Sequence, residues 1–186
     1  MKQQTPHEKV YPQGTPYSYP SGGRAPHEKV LDILDSLNIS YDFERHPAAY
    51  TMEEIDALKL TRPNESIAKN LFLRDGSGKR HFLVLVAGDK TVDLKKLRQT
   101  IGSSRLSFAS EERLMKHLKV TKGSVSPMGI LNDDDLAVEV FIDEALKDSV
   151  CIGVHPNDNT ATVWISCKDL EQVIRCHGNP LSYIPV

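Results

Sequence analysis

From residue 26 onward the chain alternates between helical apolar stripes and strand-like runs. Val30, Leu31, Ile33, Leu34 and Leu37 lie at helical spacing, and Pro26 suits a first helical turn, where its missing N–H costs nothing. SYDFERH (40–46) reads as a short strand. Thr51 and Glu54 match a T-x-x-E capping box, which predicts a helix from Met52 to about Leu60. SIAKNLFLRD (66–75) and RHFLVLVAG (80–88) read as two strands around a DGSGK turn, a hairpin pattern. VDLKKLRQTIG (92–102) reads as a helix closed by Gly102, RLSFA (105–109) as a further short strand, and EERLMKHLKV as a helix capped by Ser110. LAVEVFID (136–143), SVCIGVHP (149–156) and TATVWIS (160–166) are three more strands, the last two flanking the turn NDNT. Ser166 caps a final helix, CKDLEQVIRCHG. Roughly six strands and five helices interleave without strict βαβ regularity, which predicts a mixed-sheet α/β or α+β protein.

Two regions depart from this periodicity. TKGSVSPMGI (121–130) packs Gly123, Ser124, Ser126, Pro127 and Gly129 between charged, helix-like runs, so it is neither regular helix nor central strand. Residues 1–25 carry Pro6, Pro12, Pro16 and Pro20 with Gly14, Gly22 and Gly23, and read as an irregular arm ahead of a body at 26–186. Tyr11, Tyr17 and Tyr19 give the arm apolar surface with which to pack on that body. PHEKV occurs at 6–10 and again at 26–30, but the similarity ends there, as in a local duplication and not a repeat architecture.

Composition narrows the class. With 186 residues, 39% hydrophobic and 26% charged, the chain can bury one sizeable core. No window approaches 18 consecutive apolar residues, and MKQQTPHEKV has no apolar signal core, so neither a membrane helix nor a secretory signal is expected. Cys151, Cys167 and Cys176 are odd in number and lack CxxC spacing, which argues against disulfides and cysteine-rich zinc sites and for a reducing cytoplasm. The net charge of −2 hides an uneven distribution: −3 over residues 1–68, +8 over 69–122 and −7 over 131–186. The basic middle third suits a phosphate-facing surface, or equally a set of solvated helix faces.

Two places carry candidate chemistry. Lys69 sits among aliphatics in IAKNLFL; strict alternation puts Ile67, Lys69, Leu71 and Leu73 on one face and Ala68, Asn70 and Phe72 on the other. Either Lys69 is an edge lysine that snorkels to water, or it is a cation at the end of a cleft that binds an anion or developing oxyanion. For Asn70 to serve the same site, the strand must bend, bulge or end there. His155 ends an apolar strand ahead of Pro156, and Asn157, Asp158 and Asn159 supply turn chemistry; the imidazole gains a sharper role only if it faces a cleft. The seven histidines form no HExxH pair, there is no GxGxxG, P-loop or GxSxG, and nothing local activates Ser124 or Ser126 as a nucleophile.

In order, SIAKNLFLRD, LKVTKGSVSPMGI and CIGVHPNDNTATVWIS resemble the YbaK-like family of prolyl-tRNA editing domains, in particular its freestanding ProX or PrdX type, over roughly residues 26–180. The resemblance implies a single α/β (α+β) domain in which a mixed, mainly antiparallel sheet is surrounded by helices. It implies a trans-editing hydrolase that deacylates alanyl-tRNA(Pro), with no metal or organic cofactor. Carried over by position, it implies catalytic Lys69 and Asn70. It further implies a G-x-x-x-P substrate loop of Gly123, Ser124, Val125, Ser126 and Pro127, and a histidine turn with Gly153, His155, Asn157 and Asp158. The partners implied are the alanine-bearing acceptor end of tRNA(Pro) and, as a second contact, prolyl-tRNA synthetase, for a cytoplasmic monomer without membrane attachment. An editor of cysteinyl- or seryl-tRNA and a non-catalytic tRNA-binding module are the competing readings, since one scaffold serves several substrates.

Overall fold

A computed structural model describes residues 25–48, 54, 58 and 65–186. The arm at 1–24 and nearly all of the helix expected at 52–60 lie outside the described residues. Helix α1 (Pro26–Ser36) starts on the expected proline, and Glu28 accepts a hydrogen bond from the Ala25 N–H at 3.2 Å. Its stripe buries Val30 and Leu34 completely. Strand β1 (Asp42–Arg45) follows, then β2 (Ala68–Arg74) and β3 (His81–Ala87), joined by the expected hairpin turn. Asp75 organises that turn: its carboxylate accepts from the Ser77 hydroxyl at 2.6 Å and the Lys79 N–H at 2.9 Å.

Helices α2 (Leu94–Thr100) and α3 (Glu111–His117) are capped by Asp93 and Ser110, and the two-residue strand β4 (Ser107–Phe108) lies between them. A 3-10 helix, Pro127–Asn132, leads to β5 (Val138–Asp143) and a short 3-10 turn, Glu144–Leu146. Strands β6 (Ile152–Val154) and β7 (Ala161–Ile165), helix α4 (Cys167–His177) with Ser166 as its cap, and β8 (Leu181–Ile184) complete the chain. β8 was not anticipated: LSYI is too short for its alternation to register, and it becomes a strand by pairing parallel with β5.

The strands form two sheets, ordered β1-β7-β6 and β4-β2-β3-β5-β8. Pairing is mixed and mainly antiparallel, with β3–β5 and β5–β8 the parallel pairs. Every residue of β3 is buried, as befits a central strand covered on both faces. One core lies where the five-stranded sheet meets α1, α3, α4 and the smaller sheet, with Leu83, Leu85, Ile142, Val163 and Ile174 among its members. A second core, including Leu73, Phe82, Val84 and Val86, lies on the other face beneath Leu97 and Ile101. Burying each such side chain contributes about 1.5–3 kcal/mol, enough for these layers to fix the relative position of the sheets. A parallel bridge between Ser66 and Ile152 links the sheets directly, with the Ser66 N–H donating to Cys151 O at 2.8 Å. Among the described residues no helix is long and apolar enough to cross a membrane.

Candidate active site

In the smaller sheet, period-two alternation sends Val163, Ile165, Ile152 and Val154 into the core. The partners in register Gly153↔Trp164 and Glu44↔Thr162 therefore fall on its second face. There, a cavity of about 70 Å³ opens between that face and the segment leading into β2. Gly153, His155, Thr162 and Trp164 line one side. Glu65, Ser66, Ala68 and Asn70 line the other. Gly153 is required by close approach, since a Cβ there would lie 2.7 Å from the Trp164 ring.

His155 has a defined tautomer. Its Nδ1 lies 3.0 Å from Ala161 O, and a carbonyl only accepts, so Nδ1 carries the hydrogen and Nε2 presents a lone pair. Burial holds the imidazole below its ordinary value of 6.5, so the ring is neutral at pH 7. His46, on a ring centroid 6.1 Å away, is held at both nitrogens: Nδ1 donates to Pro47 O at 2.8 Å, and Nε2 shares a hydrogen bond with the Thr162 hydroxyl at 2.9 Å.

The loop at 121–130 supports this site from behind. Gly123 has φ 88°, in the left-handed region, and the Ser124 N–H closes the turn on Thr121 O at 3.1 Å. Ser126 accepts from the Met128 N–H at 3.2 Å, which caps the 3-10 helix begun by Pro127, and its hydroxyl donates to the backbone carbonyl of His155. Val125 packs on the core. Asn157, at φ 63°, donates from Nδ2 to Met128 O at 3.0 Å. Asp158 accepts from the Thr160 N–H and hydroxyl at 2.9 and 2.7 Å, and its other oxygen meets His27 Nδ1 at 3.3 Å. Gly123–Pro127, Asn157 and Asp158 thus hold the histidine turn and are not among the residues that line the cavity.

Lys69 and Asn70 are not brought together. β2 pairs with β3 without a bulge, from Ala68↔Ala87 to Arg74↔His81, so their side chains leave opposite faces. The Asn70 carboxamide faces the cavity, and its buried Oδ1 has no hydrogen-bond partner among the described residues. Lys69 Nζ donates to Lys90 O at 3.1 Å. Lys90 in turn donates to the fully buried Asp143 at 2.8 Å and to Val186 O at 3.0 Å. The two lysines stay at the same end of the sheet as the cavity, because the Gly88 N–H bonds Ile67 O at 2.7 Å and Ile67 is part of the cavity wall. Thr162, Trp164 and His46 escaped the reading of the sequence. The alternation of TATVWIS does set Thr162 and Trp164 opposite Val163 and Ile165, but nothing in it marks that face as a site.

The sequence model of the family described as aminoacyl-tRNA editing domain matches residues 46–173, from His46 to the last helix. The chain belongs to the aminoacyl-tRNA editing family. This editing domain is 47% identical, over 157 residues, to the prolyl-tRNA editing protein ProX of Acetoanaerobium sticklandii, an alignment covering 84% of this chain and 95% of that protein. It is also 33% identical over 104 residues to the proline–tRNA ligase of Bacillus subtilis, covering 56% of this chain and 17% of the ligase. The editing fold recurs in a solved structure of a candidate trans-editing enzyme for prolyl-tRNA synthetase, at a TM-score of 0.66 and 20% identity, covering 89% of this chain and 99% of the other. The protein is accordingly an aminoacyl-tRNA deacylase, a hydrolase of the ester that joins amino acid to tRNA.

Proposed function

We propose that this deacylase acts in trans on tRNA(Pro) mischarged with alanine, releasing alanine and free tRNA(Pro). The observation that carries the reading is the crowded wall of the cavity, where Gly153 packs so near the Trp164 ring that a Cβ there would lie 2.7 Å from it, and a ring on the substrate would compete for the same space. The kinship with ProX supports tRNA(Pro) as the carrier.

An aminoacyl ester is already activated, so the site must hold its carbonyl, admit a water and stabilise the tetrahedral oxyanion. Water adds to the carbonyl carbon, and the bond to the ribose oxygen then breaks, that oxygen leaving with a proton. The Asn70 carboxamide donates to the oxyanion. His155 Nε2, neutral and accepting, orients the water or the neighbouring free ribose hydroxyl. The Gly123–Pro127 loop, with Asn157 and Asp158, keeps His155 in position. Lys69, across the end of the sheet, meets a phosphate of the acceptor end at the rim. Its loss is expected to raise KM and flatten the salt dependence by about one charge, with kcat little changed.

The test is a deacylation panel with alanyl-, cysteinyl-, seryl- and prolyl-tRNA(Pro). Alanyl-tRNA(Pro) is expected to turn over fastest and prolyl-tRNA(Pro) slowest. Equal rates on the alanyl and prolyl species, or a cysteinyl or seryl preference, would overturn the assignment.

A further inference from the structure

Asp143 is fully buried at the end of β5, where a carboxylate persists only if donors surround it. Its Oδ2 accepts from the Ala87 N–H at 3.2 Å. Its Oδ1 accepts from the Ala145 N–H at 3.2 Å and from the Lys90 ammonium at 2.8 Å. Two backbone N–H groups ask only for a neutral acceptor. The negative charge is answered by Lys90, whose ammonium also donates to Val186 O at 3.0 Å. A buried ion pair adds little stability over a well-packed apolar pair of the same volume, so its use here lies in what it holds in place.

What it holds is the turn that leaves β3. The Gly88 N–H donates to Ile67 O at 2.7 Å, and the Lys90 N–H returns to Ala87 O at 3.0 Å. A Cβ at Gly88 would lie 3.0 Å from Ile67 O, so the turn is pressed against the segment that enters β2. With the N–H and the ammonium of Lys90 both tied to the sheet, its carbonyl is fixed, and it accepts from Lys69 Nζ at 3.1 Å. One line of contacts thus runs from Asp143 through Lys90 to Lys69. Lys69 spends one of its three N–H donors on this carbonyl, whereas Lys90 spends two inside the fold. That difference makes Lys90 the support and Lys69 the group that meets an anion.

We infer that Asp143 and Lys90 are positioning residues for Lys69. An unsupported lysine side chain samples many rotamers, and the Lys90 carbonyl selects those that keep the ammonium at the cavity end of the sheet. Less ordering is then left to be done when the acceptor end binds. The inference rests on the reading of Lys69 as a phosphate contact and deepens it.

The test compares the full chain with Lys69→Ala, Lys90→Met and the double variant on alanyl-tRNA(Pro) across a salt series. Lys90→Met keeps the main-chain carbonyl and removes the ammonium. It is expected to raise KM about three- to tenfold and to flatten the salt dependence part of the way toward Lys69→Ala. Lys90→Arg, which keeps the cation, is expected to restore both. In the Lys69→Ala background, Lys90→Met is expected to add no further rise in KM, because the residue it positions is gone. Asp143→Asn separates position from charge. Removing a negative charge near a phosphate would by itself lower KM, whereas loss of positioning raises it. An unchanged KM in Lys90→Met, an equal rise in both backgrounds, or a lowered KM in Asp143→Asn would overturn the positioning role while leaving Lys69 as a phosphate contact. If Lys90→Met fails to fold, Lys90→Gln, which retains a donor toward Asp143, carries the same comparison. If Lys69→Ala changes neither KM nor the salt dependence, the phosphate reading of Lys69 falls and the positioning role with it, and the deacylase assignment stands.

Discussion

The two sheets use the same alternation for different ends. The five-stranded sheet is apolar on both faces, with Leu83 and Leu85 toward one core and Phe82, Val84 and Val86 toward the other. The smaller sheet commits only one face to the core, through Val163, Ile165, Ile152 and Val154. Its second face bears Thr162, Trp164 and Gly153, and His46 and His155 close the arrangement. A face released from packing is free to hold polar groups, provided each is satisfied by a neighbour or by substrate. The large sheet thus supplies stability, and the small one supplies chemistry. Asn70 is where they meet, a polar residue of the large sheet that turns into the cavity beside Ala68.

Substitutions in the two sheets should separate along that line. The largest effect is expected in the large sheet: Leu83→Ala, at a side chain with no exposure, should cost about 2–5 kcal/mol in urea unfolding, with the alanyl-to-prolyl preference of the folded fraction retained. A changed preference would mean that the sheets do not divide the work. At their meeting point, Asn70→Ala should lower kcat/KM on alanyl-tRNA(Pro) about 100- to 1000-fold while the melting temperature holds, if the carboxamide serves the oxyanion. A drop in stability of similar size would recast Asn70 as structural.

The loop behind the histidine turn is expected to respond through the backbone. Gly123→Val forces a β-branched residue to φ 88°, a strain of about 1–3 kcal/mol, and should slow editing more than Ser124→Ala in side-by-side single turnovers. The smallest effect sharpens the comparison from the far end of the large sheet. Burial, aided by the neighbouring His117 and Arg113, brings His81 down from 6.5 to about 4. Between those values the unfolded chain binds the proton more readily than the folded one. The stability tied to neutral His81 is therefore complete above pH 6.5 and declines as pH falls toward 4. His117 and His155 shift in the same direction, so His81→Phe should flatten only part of the decline in urea midpoint over that window.

Much of the fold was legible because local physics specified it. The DGSGK hairpin, the caps at Ser110 and Ser166 and the proline start of α1 all appear where turn and cap chemistry put them. The strand at Leu181–Ile184 was not legible, since its identity depends on the ladder that β5 offers. For the site, alternation alone already separated Lys69 from Asn70, and the unbroken register of β2 with β3 keeps them apart. The resemblance implied Ser126, Asn157 and Asp158 as substrate contacts, and in the structure their hydrogen bonds run to Met128, His155, Thr160 and His27. The polar pattern correctly marked a built turn; what it was built around was out of reach.

By itself the sequence determined most of the helices and strands among the described residues and which faces of those strands are apolar, because periodicity, caps and turns act over a few residues. It determined the family as well, through three motifs in order. Only the tertiary structure decided that Thr162 and His46, 116 residues apart, share one hydrogen bond, and that Asn70 and not Lys69 enters the cavity. Those outcomes depend on how two sheets pack and on which donor each hydrogen is spent, and no local pattern encodes either.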